Sequence, residues 1–230
     1  MKIDLSKYLD NWYKEDPAKN IFPGPVVTFS REVGCPAKKI ATDLSLRLNK
    51  LKKVHAKDEP WKWIDKEIMM ESAKELQVDS SHIQHVFDYK SRGVLADMLL
   101  AQSKDYYKSD MKIRTTIAKV IRNFANAGNA IIVGRGGVAI TRDIPKSLHI
   151  FLEAPLEWRA LRISDKHGFT IDQARNYAQS IDKKRSSFRD FFQGKGNDYT
   201  RFDIKLNCMT LESKELIDII IAAMRSRLMI

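Results

Sequence analysis

Short apolar runs alternate along the chain with longer stretches in which apolar residues recur every three or four positions. The runs at 26–30, 130–134 and 148–152 predict buried β-strands, and the segments 61–64 and 202–207 predict two more. Strands that are apolar on both faces and alternate with helices are typical of a parallel sheet covered on both sides. The pattern therefore predicts an α/β fold with three layers.

The three-to-four-residue period predicts amphipathic helices between these strands. The helix predicted at 37–48 places Ile40, Leu44 and Leu48 on one face, and the helix at 109–127 stops at Gly128. Thr170 and Gln173 have the spacing of a capping box, so a long polar helix is predicted from 170 to about 192, before a glycine-containing loop at 193–197. Further helices are predicted at 3–15, 65–77, 79–89, 155–167 and 212–228.

Proline and glycine interrupt the pattern after the first predicted helix, at 16–17 and 23–25. We therefore predict an N-terminal helical extension over 1–24 and one domain over 25–230. In parallel sheets, ligands bind beyond the C-terminal ends of the strands. The candidate site positions are accordingly 30–39, Asp65, 134–137 and Glu153.

The charge balance indicates which classes of molecule the protein can bind. The chain has 40 Lys and Arg against 29 Asp and Glu, a net charge of +11, which favours anionic partners such as nucleotides; a solvated basic surface is the alternative. No window has the roughly 18 apolar residues of a membrane span. The first residues lack the apolar core of a secretory signal. With only two cysteines, Cys35 and Cys208, a reduced cytoplasmic setting is expected, without a metal site.

The turn after the first strand has the layout of a phosphate-binding loop, in which backbone N–H groups at a helix N-terminus bind phosphate. Against the pattern GxxxxGK[ST], Glu32 takes the place of the first glycine and Lys38 that of the phosphate-binding lysine. Lys39 replaces the hydroxyl that ligates Mg²⁺, and Gly34 is the one glycine of the loop. An ordinary strand-to-helix turn is the alternative for this motif taken alone.

Two further groups of residues follow predicted strands. The sequence GRGG at 134–137 lets a ligand approach the backbone, and Arg135 can bind a phosphate or a base edge, although a tight turn also explains it. Arg159 and Arg162 share a helical face, as do Asp182 and Arg185. Arginines on two successive helices suit a lid over transferring phosphates, at about 159–200. A charged helix face with local ion pairs is the alternative.

In order, these segments make the chain resemble the cytidylate kinase-like family, a branch of the P-loop nucleoside monophosphate kinases. The resemblance rests on TFSREVGCPAKKIA (28–41), WIDKEIMMESAKEL (63–76), AIIVGRGG (130–137), LHIFLEAPLEWRALRI (148–163), IDKKRSSF (181–188) and FDIKLN (202–207). It implies a P-loop NTPase-like parallel sheet flanked by helices, with a helical lid.

The resemblance also implies roles for residues. The ATP phosphates would meet the loop at Gly34, Cys35, Ala37, Lys38 and Lys39. Lys38 and the lid arginines Arg159 and Arg162 would act on the transferred phosphoryl group. The monophosphate would be held by Asp65, Arg135, Asp182 and Arg185. ATP and Mg²⁺ are the implied cofactors.

The leading hypothesis is a cytoplasmic kinase that transfers the γ-phosphoryl group of ATP to a nucleotide such as CMP. The alternative is a nucleotide-binding protein that has lost catalysis and acts as a sensor or partner module. It is favoured by the glycine-poor loop and by Lys39 at the hydroxyl position. Nucleic-acid and membrane partners are not expected, since only the net charge supports the former. No oligomeric state is predicted.

Overall fold

The computed structural model describes residues 24–52, 60–80, 83, 110–193 and 202–230. Strands and helices alternate along this part of the chain. In order, they are β1 (Val26–Arg31), α1 (Ala37–Lys52), β2 (Lys62–Ile64), α2 (Lys66–Leu76), α3 (Asp110–Ala127), β3 (Ala130–Val133), α4 (Gly137–Ile140), β4 (Ser147–Glu153), α5 (Leu156–His167), α6 (Ile171–Gln193), β5 (Ile204–Asn207) and α7 (Ser213–Ser226).

The five strands form one sheet in the order β2-β3-β1-β4-β5, and each neighbouring pair is parallel. In the centre, Val26 of β1 is in register with Ala130 of β3 on one side and with Ser147 of β4 on the other. The first five residues of β1 and all four residues of β3 are buried, because helices cover both faces of these strands. The predicted parallel sheet is confirmed.

Each face of the sheet has its own apolar cluster. Val27 and Phe29 of β1 point into the cluster covered by α1 and α7, whereas Val26 points into the one covered by α2, α3 and the end of α6. This alternation follows from the pleat of a strand, in which successive side chains point to opposite faces. The fold therefore has the three predicted layers.

Most boundaries agree with the sequence prediction within two residues, but α1 continues to Lys52, four residues beyond its predicted end at 48. Two smaller differences have local causes. The last strand begins at Ile204 and not at 202, because Asp203 turns its carboxylate back to the backbone N–H of His149 at 2.7 Å. Pro155 is the N-cap of α5 and not its first residue. Thr170 and Gln173 form the predicted capping box, with reciprocal bonds of 2.9 and 3.3 Å.

Some predictions fall outside the described residues. These are the N-terminal helix at 3–15, nearly all of the extension over 1–24, most of the helix at 79–89 and most of the loop at 193–197. In the part of the chain that the structure describes, no helix combines the length and the apolar character needed to cross a bilayer.

His149 on β4 is a buried residue of the core. Its Nδ1 lies 2.8 Å from the hydroxyl oxygen of Thr28 on the neighbouring strand β1. Burial lowers the pKa of His149 from 6.5 to about 4, since a charged imidazole would lose its hydration in the core.

Acid should therefore destabilise the protein through His149. The unfolded chain takes up the proton near pH 6.5 and the folded chain only near pH 4, so stability is full above 6.5 and is lost as the pH falls through this window. We expect a loss of roughly 3 kcal/mol from this residue, at about 1.4 kcal/mol for each unit of pKa difference. Urea unfolding of wild type and His149→Asn at several pH values measures it. Equal pH slopes in the two proteins would contradict the assignment.

Candidate functional site

The candidate site lies at the edge of the sheet where β1, β2 and β3 end. The carboxyl ends of parallel strands meet at one edge, so residues far apart in sequence come together there. The segment 32–36 connects β1 to α1, Asp65 follows β2, and 134–136 follows β3. Two arginines of α5 and one aspartate of α6 contact the loop after β1.

The loop after β1 depends on Gly34. Its φ of +97° is in the region that favours glycine, and a Cβ there would lie 2.9 Å from the Cβ of Arg159. Glycine therefore lets α5 approach the loop closely. The first turn of α1 contains no acidic residue, so no side chain of that turn neutralises the positive end of the helix dipole. Such a helix end favours an anion.

Arg159 is buried beneath this loop, with 6% of its surface exposed. Its guanidinium donates to the carbonyl oxygens of Ala154 at 2.9 Å and Val33 at 3.1 Å. It also pairs with the carboxylates of Glu32 at 3.2 Å and Asp182 at 2.8 Å. These contacts join the loop to α5 and α6. They are all to protein groups, so direct contact of Arg159 with a phosphoryl group stays a prediction.

Arg162, one turn further along α5, is exposed. Its Nε donates to the carbonyl oxygen of Gly34 at 3.1 Å, and its guanidinium lies 4.6 Å from the centre of the Trp158 ring. The side chain thus lies over the loop at the protein surface. Of the two predicted lid arginines, Arg162 is the exposed one, and its contact with a transferred phosphoryl group stays a prediction.

Asp182 on α6 also helps to hold the loop in place. One oxygen accepts the backbone N–H of Val33 at 2.8 Å and the other accepts from Arg159 at 2.8 Å, while Arg185 lies 3.9 Å away. The resemblance implies a role for Asp182 at the monophosphate, whereas in the structure its carboxylate holds the loop. Glu32 also accepts the backbone N–H of Ala154 at 3.0 Å, so it holds the loop to the end of β4.

Lys38, Asp65 and Arg135, which the sequence assigned to two different subsites, meet in the structure. The carboxylate of Asp65 lies 2.6 Å from the Nζ of Lys38 and 3.1 Å from the Nε of Arg135. Burial alone would raise the pKa of Asp65, but the hydrogen bond from Lys38 and the positive charges of Arg135, Lys38 and Arg31 together lower it. The side chain of Asp65 is therefore an ionised, buried carboxylate between the cations of Lys38 and Arg135.

The other predicted phosphate-binding residues of the loop have different surroundings. Ala37 is buried, and its N–H donates to the carbonyl oxygen of Cys35 at 3.0 Å. Lys39 is exposed and pairs with Asp43 at 2.6 Å. The thiol of Cys35 hydrogen-bonds with that of Cys208; this bond and burial raise the pKa of Cys35, and the same bond lowers the pKa of Cys208.

A model of the cytidylate kinase-like family matches residues 26–210, which include every part of this site. The chain belongs to the cytidylate kinase-like family. The sequence has no significant match among curated proteins.

Solved structures with the same architecture include an uncharacterized protein from Eubacterium ventriosum, at 22% identity and a TM-score of 0.60 over 88% of this chain and 98% of that chain. A shikimate kinase from Bacteroides thetaiotaomicron matches at 12% identity and a TM-score of 0.48, over 90% and 99% of the two chains. A gluconokinase from Sinorhizobium meliloti matches at 9% and 0.46, over 89% and 93%. The similarity to the Eubacterium ventriosum protein supports the fold described above.

In this cytidylate kinase-like chain a pocket lies beside the loop, between α6 and the ends of β1 and β3. Arg31, Arg135, Arg185 and Arg189 line it together with Ser30 and Phe188. The sequence predicts Arg135 and Arg185 for the monophosphate but does not single out Arg31. Two positional signals were available: Arg31 ends a buried strand, and Arg189 lies one helical turn after Arg185.

The family implies Mg²⁺ beside the nucleotide, and the residues around the loop do not fit a metal held by the protein itself. Within the described ranges, no group of three or more His, Cys, Asp or Glu side chains is arranged to hold a metal ion. Asp65 is shared by Lys38 and Arg135, and Lys39 stands where the resemblance places a hydroxyl ligand. Mg²⁺ often binds through phosphate oxygens and water, with few protein ligands.

Proposed function

We propose that this member of the cytidylate kinase-like family is a kinase that transfers the γ-phosphoryl group of ATP to a nucleoside monophosphate, with CMP as the first candidate. The observation that carries the proposal is the convergence of Lys38, Arg162, Arg135 and Arg185 on the edge of the sheet next to the N-terminus of α1. A cluster of basic groups beside a helix N-terminus is suited to phosphates that carry several negative charges.

Each part of the site has a role in this proposal. Bound ATP would supply the phosphoryl group, and Mg²⁺ would arrive with it, held by phosphate oxygens. The N-terminus of α1 and Lys38 bind the ATP phosphates, and Arg162 neutralises the charge that develops during transfer. Arg135 and Arg185 bind the acceptor phosphate. Arg159 positions the loop.

The proposal includes a cytoplasmic location, which suits a protein with two cysteines that are free thiols. Both thiols lie at the proposed nucleotide site, so the reducing conditions of the cytoplasm would keep the loop free of cross-links.

A second candidate function is nucleotide binding without catalysis. The ion pair of Lys38 with the buried carboxylate of Asp65 favours it, because that pair holds the lysine without a nucleotide. Under this alternative the loop binds a nucleotide, and its closure is read by a partner protein. Measured turnover separates the two candidates.

Titration calorimetry with ATP and CMP, with and without Mg²⁺, combined with a coupled kinase assay, tests the proposal. We expect both nucleotides to bind and CMP to be phosphorylated. Nucleotide binding without turnover of any monophosphate would contradict the kinase and support the second candidate. If neither nucleotide binds, both candidates are wrong.

Replacing Lys38 tests where the ATP phosphates bind. We expect Lys38→Ala to lower kcat/KM at least about tenfold, since a charged hydrogen bond to phosphate contributes on the order of 1.5–3 kcal/mol. Lys50→Ala is the matched control, because Lys50 is an exposed lysine near the other end of the same helix. Unchanged turnover in Lys38→Ala would mean that the phosphates bind elsewhere.

A further inference from the structure

The chain has two cysteines, and the fold brings both to the C-terminal edge of the sheet. Cys35 is in the loop after β1, two residues before α1 begins, and Cys208 directly follows β5. Cys208 is 7% exposed, and Cys35 is half-buried against the same apolar cluster. A hydrogen bond joins the two thiols. The proposed phosphoryl transfer uses neither thiol, so this contact between distant segments calls for a role of its own.

The backbone around Cys208 is fixed at the end of the sheet. Its N–H donates to the carbonyl oxygen of Glu153, the last residue of β4, at 2.8 Å. In the turn that follows, the side chain of Asn207 accepts the N–H of Met209 at 2.9 Å. Any closer approach of the two sulfur atoms is therefore made mainly by Cys35 and its loop.

Cys35 is directly connected to the N-terminus of α1. Its N–H donates to the carbonyl oxygen of Glu32 at 3.3 Å, and its own carbonyl oxygen accepts the N–H of Ala37 at 3.0 Å. A disulfide bond is about 2.05 Å long, which is much shorter than the contact in a hydrogen bond between thiols. Closing that bond would pull Cys35 towards the end of β5 and shift the first turn of α1, where the ATP phosphates are proposed to bind.

The surroundings of the pair make Cys208 the more acidic thiol. The hydrogen bond from Cys35 lowers the pKa of Cys208, burial opposes this effect, and the positive charge of Arg162 lowers the pKa further. The same hydrogen bond and burial raise the pKa of Cys35. Because the thiolate is the nucleophile in thiol chemistry, Cys208 is the sulfur that attacks an oxidant first, and Cys35 attacks second.

We infer that Cys35 and Cys208 are a modification site: hydrogen peroxide oxidises them to a disulfide, and the disulfide weakens nucleotide binding at the loop after β1. Only the effect on the nucleotide rests on the proposed function, because the formation of the disulfide requires no nucleotide. Disulfides in cytoplasmic proteins are usually transient and respond to the redox state, which agrees with the location proposed above.

The reaction has two steps. The Cys208 thiolate attacks one oxygen of peroxide, the O–O bond breaks, and the sulfur becomes a sulfenic acid while the other oxygen takes up a proton and leaves as water. Cys35 then loses its proton and attacks the sulfenic sulfur, the S–O bond breaks, and a second water leaves. In total the two thiols lose two electrons and two protons, and one peroxide is reduced to two waters. A thiol such as dithiothreitol reverses the reaction by exchange.

Mass spectrometry of the full chain, treated with peroxide and then with iodoacetamide, tests the formation of the disulfide. We expect the mass to fall by two hydrogen atoms and both sulfurs to resist alkylation. The tryptic peptides 32–38 and 206–214 should be linked to each other until dithiothreitol is added. Cysteines that stay open to alkylation, that are oxidised to sulfinic acid without a link, or that link two chains together would each overturn the inference.

Titration calorimetry with ATP tests the consequence. We expect oxidation to raise the dissociation constant of wild type at least about tenfold and dithiothreitol to restore it. Cys208→Ala is the matched control, because it cannot form the disulfide but keeps Cys35 and all 8 methionines, which peroxide can also oxidise. Its dissociation constant for ATP should be the same before and after peroxide. Cys208→Ser provides the same comparison with a side chain closer in size to cysteine.

The proposed function and this inference fail in different ways. Tight ATP binding by the cross-linked protein contradicts the effect of the disulfide and leaves the kinase intact. An equal loss of affinity in wild type and Cys208→Ala also contradicts that effect, since another oxidation must then cause it. A reduced protein that binds no nucleotide contradicts the proposed function and the effect on binding together, while the mass of the oxidised chain still decides whether the disulfide forms.

Discussion

Replacing Asp65 by alanine should destabilise the protein by about 3 kcal/mol, because one partner of a buried ion pair is lost. The carboxylate is 2% exposed and lies between Lys38 and Arg135. Lys38 can turn to solvent, since 55% of its side chain is exposed, but Arg135 has only 17% exposed and would lose this ion pair inside the site. The free energy of unfolding, measured by urea titration monitored by circular dichroism, gives the loss.

Asp43→Ala is the matched control for this result. Asp43 pairs with Lys39 at 2.6 Å on the exposed side of α1, and exposed ion pairs contribute roughly 0–1 kcal/mol. The two variants each remove one aspartate that is paired with a lysine, so the difference between them measures the burial of Asp65 together with its second ion pair, with Arg135. A loss of under about 1 kcal/mol in Asp65→Ala would show that the buried carboxylate is not a stabilising centre.

The sequence predicted the sheet well because buried strands in a parallel sheet leave a strong signal. Segments such as 130–134 are apolar at every position, which a half-exposed strand would not be. The same signal predicted the location of the site, since the topology brings strand ends to one edge. Membership of the cytidylate kinase-like family was predicted from the order of the motifs and is confirmed by the family match over 26–210.

The contacts of individual side chains could not be predicted from the sequence, because they join segments that are distant along the chain. Arg159 looks like an ordinary basic residue of a charged helix, yet it is buried against Val33, 126 residues earlier. Lys38 and Asp65 follow different strands, and only the packing of α1 beside β2 and β3 joins them. The place of Arg31 was hidden for a similar reason, because it requires the absence of a side chain at Gly134.

These contacts also explain how a glycine-poor loop keeps its shape. Glycines usually allow such a loop to wrap around a phosphate, whereas here Cys35 and Pro36 end the loop and Ala37 begins α1. The backbone is held from outside: Arg159 binds the carbonyl of Val33, Arg162 binds that of Gly34, and Asp182 binds the N–H of Val33. Rigid attachment to α5 and α6 therefore takes over part of the role that a bound phosphate would have in ordering the loop.

Arg159→Ala and Arg162→Ala should both impair turnover, but for different reasons. Arg159→Ala leaves Glu32, Asp182 and two carbonyl oxygens without their buried donor, so we expect a loss of about 3–5 kcal/mol in the free energy of unfolding. Arg162 is exposed and has one hydrogen bond to the loop. Its removal should change stability by under about 0.5 kcal/mol and lower kcat by at least about 100-fold, the effect of losing a charge that stabilises the transition state.

Urea unfolding and steady-state kinetics on the same preparations separate these roles, with Arg159→Lys as the conservative variant. Lysine keeps the charge but not the fork of donors that reaches two carbonyls and two carboxylates, so Arg159→Lys should recover only part of the stability. Its kcat, measured at a temperature where it is folded, should exceed that of Arg162→Ala, because Arg162 remains in place. The opposite order of the two kcat values would mean that Arg159 contacts the transferred phosphoryl group directly and that its burial is relieved when the nucleotide binds.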